Sequence, residues 1–143
     1  MTIRAWEEKD MDVLAVMEAE CFSDPWTKNM LEGVLRVPVY HTFLVEDGGQ
    51  VCGYACSSVL FEEAEVMNVA VKPTMRGRGI GKMLMEAMHE RAQALGAEIS
   101  LLEVRPSNVS AIGLYKKYGY EQYGIRAKYY ADGEDAILMK KTL

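Results

Sequence analysis

The stretch VMNVAVKPTMRGRGIGKMLM, residues 66–85, combines three kinds of local sequence without an insertion between them. Its first part is rich in valine and predicts a strand, which Pro73 ends because proline cannot continue a central ladder. Gly77, Gly79 and Gly81 then alternate with other residues in a basic loop, and helix-forming residues follow directly. Glycine lets backbone N–H groups approach an anion, and a helix N-terminus directs more of them at it. The stretch therefore predicts a strand, a phosphate-binding loop and a helix.

Two common phosphate loops do not fit these residues. An ATP-binding Walker loop needs GxxxxGK followed by Ser or Thr, but Arg76 takes the place of the first glycine and Met83 the place of the hydroxyl. A dinucleotide fingerprint GxGxxG that starts at Gly77 requires a third glycine where Lys82 stands, and no acidic residue follows a strand at the required distance. Neither cofactor class is indicated.

Length and composition limit the fold and the class of protein. The chain has 143 residues, half of them hydrophobic, which suffices for a core without disulfide or metal staples, so we expect residues 1–143 to form a single domain. The charged N-terminus does not resemble a signal peptide, and no apolar run of 18 residues occurs, so we expect a cytoplasmic protein with no membrane partner. The net charge of −5 disfavours nucleic-acid binding and is compatible with a cationic substrate.

The cysteines and histidines indicate no metal site. Cys21, Cys52 and Cys56 form no CxxC pair, so we expect buried thiols and neither a disulfide framework nor a zinc site. His41 and His89 have no nearby nucleophile or metal-ligand partner in the sequence and are interpreted as surface or hydrogen-bonded residues. Nothing in the sequence fixes the oligomeric state, although a monomer is favoured.

The remaining segments extend the pattern in both directions. Before the opening stretch, a short strand precedes two helices, the second with Thr27 as its cap, and two strands flank the hairpin signal DGGQ. After it come the strand ISLLEV, a helix capped by Ser107 or Asn108, and a closing hairpin around ADGED. The order βααβββαβαββ predicts an α/β (α+β) fold with a mixed, largely antiparallel sheet flanked by helices, because short turns join the strands from residue 40 to residue 71.

The pattern Arg-x-x-Gly-x-Gly, read as Arg76, Gly79 and Gly81, resembles the pyrophosphate loop of the GCN5-related N-acetyltransferases (GNAT), which use acetyl-coenzyme A (acetyl-CoA). The order of elements is also that of this family. The resemblance implies that coenzyme A contacts the backbone of the preceding strand, the loop, and the asparagine of RPSN. The implied coenzyme residues are Val69, Ala70, Val71, Arg76, Gly77, Arg78, Gly79, Ile80, Gly81, Lys82 and Asn108.

Two side chains are candidates for proton transfer. Glu103 is charged within the apolar strand LLEV, where burial raises the pKa of a carboxyl group and suits it to accept a proton; the alternative is a strand-end carboxylate that meets solvent or pairs with Arg105. Tyr115 can donate a proton to a thiolate if it faces a cleft; the alternative is a core tyrosine. The segment LEVRPSNVSAIGLYKKYGY is similar to the GNAT segment that supplies a glutamate base and a tyrosine acid, which implies these roles for Glu103 and Tyr115.

The resemblance covers nearly the whole chain and narrows to the RimI-type N-alpha-acetyltransferases, which acetylate the N-terminal alanine of small-subunit ribosomal protein eighteen. CFSDPWT looks like their substrate-side turn, and KYYADGEDAILMKK is similar to their terminal hairpin, where tyrosines line a peptide slot. The implied substrate residues are Phe22, Trp26, Tyr129 and Tyr130. The acidic segment of Glu62, Glu63 and Glu65, interpreted as a loop, could receive basic residues of such a peptide or simply be solvated.

The sequence is also compatible with two other hypotheses about function. The same chemistry could serve another protein N-terminus, a lysine side chain or a small amine. A different class of protein, a non-catalytic acyl-CoA sensor or interaction module, would keep the glycine loop and could lose Glu103 and Tyr115. Both residues are present in this chain.

Overall fold

The predicted order of elements is the order in the protein. The computed structural model describes all residues from 1 to 143. The strands are β1 (Thr2–Arg4), β2 (Tyr40–Asp47), β3 (Gln50–Leu60), β4 (Glu63–Val71), β5 (Ile99–Val104), β6 (Glu121–Arg126) and β7 (Ala136–Thr142). The helices are α1 (Met11–Cys21), α2 (Lys28–Val34), α3 (Ile80–Ala94) and α4 (Val109–Lys117). Short 3-10 turns, Glu8–Asp10 and Pro73–Met75, precede α1 and follow β4. This order confirms the mixed α/β fold.

One sheet contains all seven strands, in the order β1-β2-β3-β4-β5-β7-β6. Every neighbouring pair is antiparallel except β4 and β5, which run parallel. The parallel pairing is short, since it starts at Glu63 with Ile99 and ends at Val66 with Leu102. Beyond it, β4 stays paired with β3 as far as Val71, and β5 stays with β7. The two central strands therefore separate, and the β5-facing edge of residues 67–71 lacks a strand partner.

Helices cover both faces of the sheet. The core between the sheet and α3 and α4 contains Phe43 and Val45 of β2, whereas Leu44 packs on the opposite face with α1 and α2. This alternation follows from the two-residue period of a strand. The helix pairs thus meet the sheet from opposite sides, and both reach the place where β4 and β5 separate.

The sequence predicts one apolar stripe on α3, and the helix differs from it at one end. The predicted stripe consists of Ile80, Met83, Leu84, Ala87, Met88 and Leu95. Ile80, Leu84 and Met88 are buried as predicted, but Leu95 is 49% exposed. The helix ends at Ala94, and Gly96 turns the chain with a φ of +90°, which carries Leu95 away from the sheet. Met85 and Ala92, which the predicted stripe omits, are buried in its place, while Met83 and Ala87 are half-buried against the core.

Two further predictions on local structure are wrong. Glu63 and Glu65 lie in β4 and not in a loop, because Ala64 and Val66 alternate with them and are buried against the sheet. The charges hid the two-residue period of a strand. Cys21 is only half-buried, unlike the two buried cysteines of β3, because the end of α1 borders a cleft. None of the helices has the length and apolar content needed to span a membrane.

Candidate functional site

A large cleft of about 610 Å³ opens where β4 and β5 separate. Its walls are the edge of β4, the loop before α3 with the start of that helix, α4 with the turn before it, and the end of α1 with the residues that follow. Ten of the eleven residues predicted to bind coenzyme A line it, although they come from three separate segments. These ten are Val69, Ala70, Val71, Arg76, Gly77, Gly79, Ile80, Gly81, Lys82 and Asn108. The eleventh, Arg78, is exposed and lies outside the lining.

The glycine loop supplies an anion-binding end to the large cleft. Gly77 and Gly79 both have a φ of +81°, a backbone conformation that residues with a Cβ rarely adopt. Gly79 is also the N-cap of α3. The first N–H groups of a helix have no partner within it, so those of α3 are available to a ligand at the loop. Arg76, Lys82 and Lys117 add positive charge to the same lining. These features fit a pyrophosphate group.

The β4 wall offers backbone groups in place of charged side chains. Val69, Ala70 and Val71 line the large cleft, and β5 no longer pairs with this part of β4. Free backbone donors and acceptors on a strand edge bind an extended chain with amide groups of its own. The pantetheine arm of acetyl-CoA is such a chain, so the residues present fit this coenzyme at both ends of the cleft.

Asn108 has a structural role as well as a place in the cleft. Its side-chain oxygen accepts a hydrogen bond from the backbone N–H of Ala111 at 3.2 Å and thereby caps α4. Of the two predicted caps, Ser107 or Asn108, the structure uses Asn108. The cap holds the N-terminus of α4 against the cleft, and Tyr115 lies in the same helix.

A small hollow of about 200 Å³ adjoins the large cleft. Three of the four residues predicted to bind substrate line it, namely Phe22, Trp26 and Tyr130. The two spaces share part of their lining, which consists of Phe22, Val69, Arg105, Asn108 and Tyr115. A molecule in the hollow therefore lies next to one in the cleft.

Tyr115 stands at this junction. Its side chain projects from α4, is 7% exposed and lines both the large cleft and the small hollow. Burial raises the pKa of its phenol, so the hydroxyl keeps its proton at neutral pH. The ring also packs edge-on against Tyr120, with 5.8 Å between the ring centres. Tyr115 is thus a core tyrosine whose position at the junction suits a proton donor.

Glu103 lies at the end of β5 on the wall of the small hollow and is half-buried. Its partner is Arg126 and not Arg105. The Oε1 of Glu103 lies 3.4 Å from a guanidinium nitrogen of Arg126. The Glu103 carboxylate also raises the pKa of the nearby Tyr129 phenol, more than the partial burial of that phenol does. The carboxylate is consequently ion-paired on the wall of the hollow without being enclosed.

The small hollow has an excess of negative charge. Glu18, Asp24 and Glu103 line it, and Arg105 is the one cation in the lining. The guanidinium of Arg105 is already paired with two carboxylates outside the hollow, at 2.7 and 3.0 Å. The hollow therefore favours a positively charged ligand such as an ammonium group.

The two tyrosines of the β6–β7 connection take different positions. Tyr130 lines the small hollow and is half-buried. Tyr129 lies outside the lining, is 46% exposed and packs edge-on against Tyr130 with 5.0 Å between the ring centres. Of the predicted pair, Tyr130 forms the wall of the hollow, and Tyr129 packs against it from outside.

Sequence reasoning missed Glu18. This residue of α1 is 1% exposed, lines the small hollow and accepts hydrogen bonds from three different segments of the chain. A glutamate in a helix is ordinarily assigned to the solvent side. The spacing of Met11, Leu14, Glu18 and Cys21 nevertheless places it on the apolar face of α1, and that was the signal available.

Comparisons with known proteins agree with this geometry. Residues 3–120 match the model of the acetyltransferase (GNAT) family. A Bacillus subtilis (strain 168) protein provisionally named a [ribosomal protein bS18]-alanine N-acetyltransferase is 37% identical over 99% of this chain and 95% of its own length. The Mycobacterium tuberculosis protein named N-alpha-acetyltransferase RimI is 34% identical over 99% of this chain and 92% of its own.

A solved structure has the same fold. The crystal structure of the ribosomal-protein-S18-alanine N-acetyltransferase from Escherichia coli superposes with a TM-score of 0.88 and 31% identity, over 99% of this chain and 92% of the other. The family model covers well over half of the chain, and members of this family use acetyl-CoA. This chain belongs to the acetyltransferase (GNAT) family and is an acetyl-transferring enzyme.

Proposed function

We propose that this enzyme transfers the acetyl group of acetyl-CoA to the N-terminal α-amino group of a protein, by direct attack in a ternary complex. Its preferred substrate is the N-terminal alanine of small-subunit ribosomal protein bS18. Residues 1–143 serve as one N-acetyltransferase domain in this reaction. The substrate follows the names of the relatives in Bacillus subtilis and Escherichia coli.

The observation that carries the proposal is the place of Tyr115 and Glu103. Tyr115 lines both the large cleft and the small hollow, and Glu103 lines the hollow beside it. An acetyl donor in the cleft and an amine in the hollow then meet between a phenol that keeps its proton and a carboxylate. Acetyl transfer needs this pair, because the amine must lose a proton and the thiolate must gain one.

Glu103, Tyr115 and the edge of β4 have separate roles in acetyl transfer. Acetyl-CoA supplies the activated acyl group. The free backbone edge of β4 around Val69 holds the pantetheine arm and can donate to the carbonyl oxygen, where negative charge develops as the amine attacks. Glu103 accepts a proton from the substrate's ammonium group, directly or through a water molecule, and the neutral amine that results attacks the carbonyl carbon. Tyr115 donates its proton to the coenzyme thiolate as the carbon–sulfur bond breaks.

The hollow suits an α-amino group better than a lysine side chain on chemical grounds. An α-amino group has a pKa of about 7.7–8.0 and a lysine about 10.4, so a carboxylate base deprotonates the former far more readily at neutral pH. The negative charge of the hollow attracts the ammonium form of either amine. Phe22, Trp26 and Tyr130 supply apolar walls for the first residues of a peptide.

A paired peptide assay tests the proposal. Acetyl-CoA turnover is measured with a short peptide that starts with alanine and contains a lysine, and with the same peptide whose N-terminus is already acetylated. We expect turnover of the free peptide alone. Turnover of both peptides would assign the lysine as acceptor, and tight coenzyme binding without turnover of either would favour another amine or an acyl-CoA sensor.

A further inference from the structure

Glu18 occupies a buried position on the wall of the small hollow. It lies one turn before the end of α1, and its side chain is directed toward the place where the sheet opens. Its Oε1 accepts the backbone N–H of Trp26 at 2.9 Å. Its Oε2 accepts the side-chain amide of Asn68 at 2.7 Å and also the hydroxyl of Tyr54. Three donors therefore satisfy this carboxylate.

The three donors belong to three different segments. Trp26 lies near the end of the turn that joins α1 to α2, Asn68 lies in β4 one residue before Val69, and Tyr54 lies in β3. The turn has no regular secondary structure from Phe22 to Thr27, so side-chain contacts must fix its position relative to the sheet. The contact through Glu18 joins the turn to the part of β4 that β5 has left.

Packing alone does not call for a carboxylate here. The surrounding core consists of apolar residues such as Leu14 and Leu31, and an apolar side chain would fill the site without the desolvation penalty of an acidic group. The polar contacts instead determine which backbone atoms are held together. They join Trp26 to Asn68, which both line the small hollow, and Asn68 directly precedes the β4 residues predicted to bind the coenzyme.

We infer that Glu18 is a positioning residue for the acceptor peptide. It fixes the turn that carries Phe22 and Trp26 against β4, so that the amine in the small hollow lies at the correct distance from the thioester in the large cleft. The inference rests on the proposed function of the hollow. Glu18 acts through Trp26 and Asn68 and takes no part in proton transfer.

The variant Glu18→Gln tests this role at nearly constant volume. It replaces one of the two acceptor oxygens with an NH₂ group, so the amide cannot accept from Trp26 on one side and from Asn68 and Tyr54 on the other. We expect KM for the alanine peptide to rise about tenfold or more, the scale of a lost hydrogen bond to a charged group. The kcat at saturating peptide and KM for acetyl-CoA should change by less than about threefold, because the groups that transfer protons are untouched.

Tyr54→Phe is the matched control. It removes one donor to the same carboxylate and leaves the contacts with Trp26 and Asn68 in place. We expect it to lower the melting temperature and to leave KM for the peptide unchanged. An equal rise in KM for the peptide in both variants would show that general loosening of the core is responsible. A fall in kcat with unchanged KM in Glu18→Gln would place Glu18 in the chemical step. Either outcome overturns the inference.

Hydrogen exchange gives a readout that does not depend on activity. In the unmodified enzyme, the amide of Trp26 should exchange slowly because Glu18 accepts it, and Glu18→Gln should accelerate exchange across residues 22–27. Rapid exchange at Trp26 in the unmodified enzyme overturns the inference, whether or not the variant folds. If the unmodified enzyme acetylates no peptide, the proposed function fails, and exchange at Trp26 still decides whether Glu18 holds the turn.

Discussion

The guanidinium of Arg105 stacks on the ring of Tyr130, with its central carbon 4.0 Å from the ring centre. The same guanidinium donates to Asp132 at 2.7 Å and to Glu134 at 3.0 Å. Glu134 also accepts the backbone N–H and the hydroxyl of Ser107. These contacts fasten the connection between β6 and β7 to the turn that precedes α4. They hold Tyr130 over the small hollow, where no strand fixes it.

Arg105→Lys should loosen this connection. Lysine keeps the charge but cannot stack flat on Tyr130 while it reaches two carboxylates. We expect KM for the peptide to rise about 5- to 20-fold, in line with a loss of roughly 1–2 kcal/mol from stacking and charged hydrogen bonds. Steady-state kinetics with varied peptide measures this effect. Asp132→Asn, which leaves Glu134 and Tyr130 in contact with Arg105, should raise KM less; equal effects would argue against the stacking contact.

Tyr115→Phe should slow acetyl transfer and leave the fold intact. The change removes only the hydroxyl from a ring that is buried against Tyr120, so packing is kept. We expect kcat to fall by roughly two to four orders of magnitude, the usual scale for a lost general acid, while the affinity for acetyl-CoA is retained. Single-turnover kinetics and calorimetric coenzyme binding measure the two quantities. A kcat near that of the unmodified enzyme would remove Tyr115 from the mechanism.

Glu103→Gln should lower kcat by roughly two to four orders of magnitude, because the amide cannot accept the proton of the attacking amine. The ion pair of Glu103 with Arg126 offers a matched control. Arg126→Gln breaks the same pair and leaves the carboxylate in place, so we expect kcat to stay within about tenfold, since exposed ion pairs contribute little stability. If both variants lose activity alike, the ion pair and not the base is what the reaction requires.

Gly79→Ala should weaken coenzyme binding. Both Gly79 and Gly96 have a positive φ, of +81° and +90°, and at both positions a Cβ would meet open space. Alanine at either position costs roughly 1–2 kcal/mol of stability for the left-handed conformation. Only Gly79 lines the large cleft. We therefore expect the two alanine variants to lose the same amount of melting temperature. Gly79→Ala alone should raise the Kd for acetyl-CoA about tenfold or more, since each 1.4 kcal/mol of binding free energy changes Kd tenfold. Unchanged binding would remove the loop from the coenzyme site.

The sequence predicts those parts of the site that leave a pattern in side chains. Gly79 and the strand before it indicated the loop and the start of α3, because glycine, proline and valine have strong local preferences. The separation of β4 from β5 left no such pattern, since the residues before and after Val66 are equally suited to a strand. How far two strands stay paired is decided by packing across the whole sheet.

Charged residues caused the other errors. Glu18 is buried because Trp26, Asn68 and Tyr54, distant in sequence, supply its hydrogen bonds, and no local pattern reveals such partners. Glu65 lies in a strand because its neighbours are buried, although its own charge suggested a loop. In both cases a tertiary contact overrides a local preference.

The last prediction concerns His89, whose Nε2 lies 2.8 Å from the hydroxyl of Tyr120. Burial, with the nearby charge of Lys141, lowers the pKa of His89 to about 4. Below about pH 6.5, His89 binds a proton in the unfolded chain but stays neutral in the folded chain. The stability that depends on neutral His89 is therefore complete above pH 6.5 and is lost as the pH falls through 4. Allowing for partial solvent exposure, we expect a loss on the order of 1 kcal/mol. Urea unfolding at pH 7.5 and pH 4.5 measures it; His89→Gln should show a smaller drop, and parallel curves would contradict the assignment.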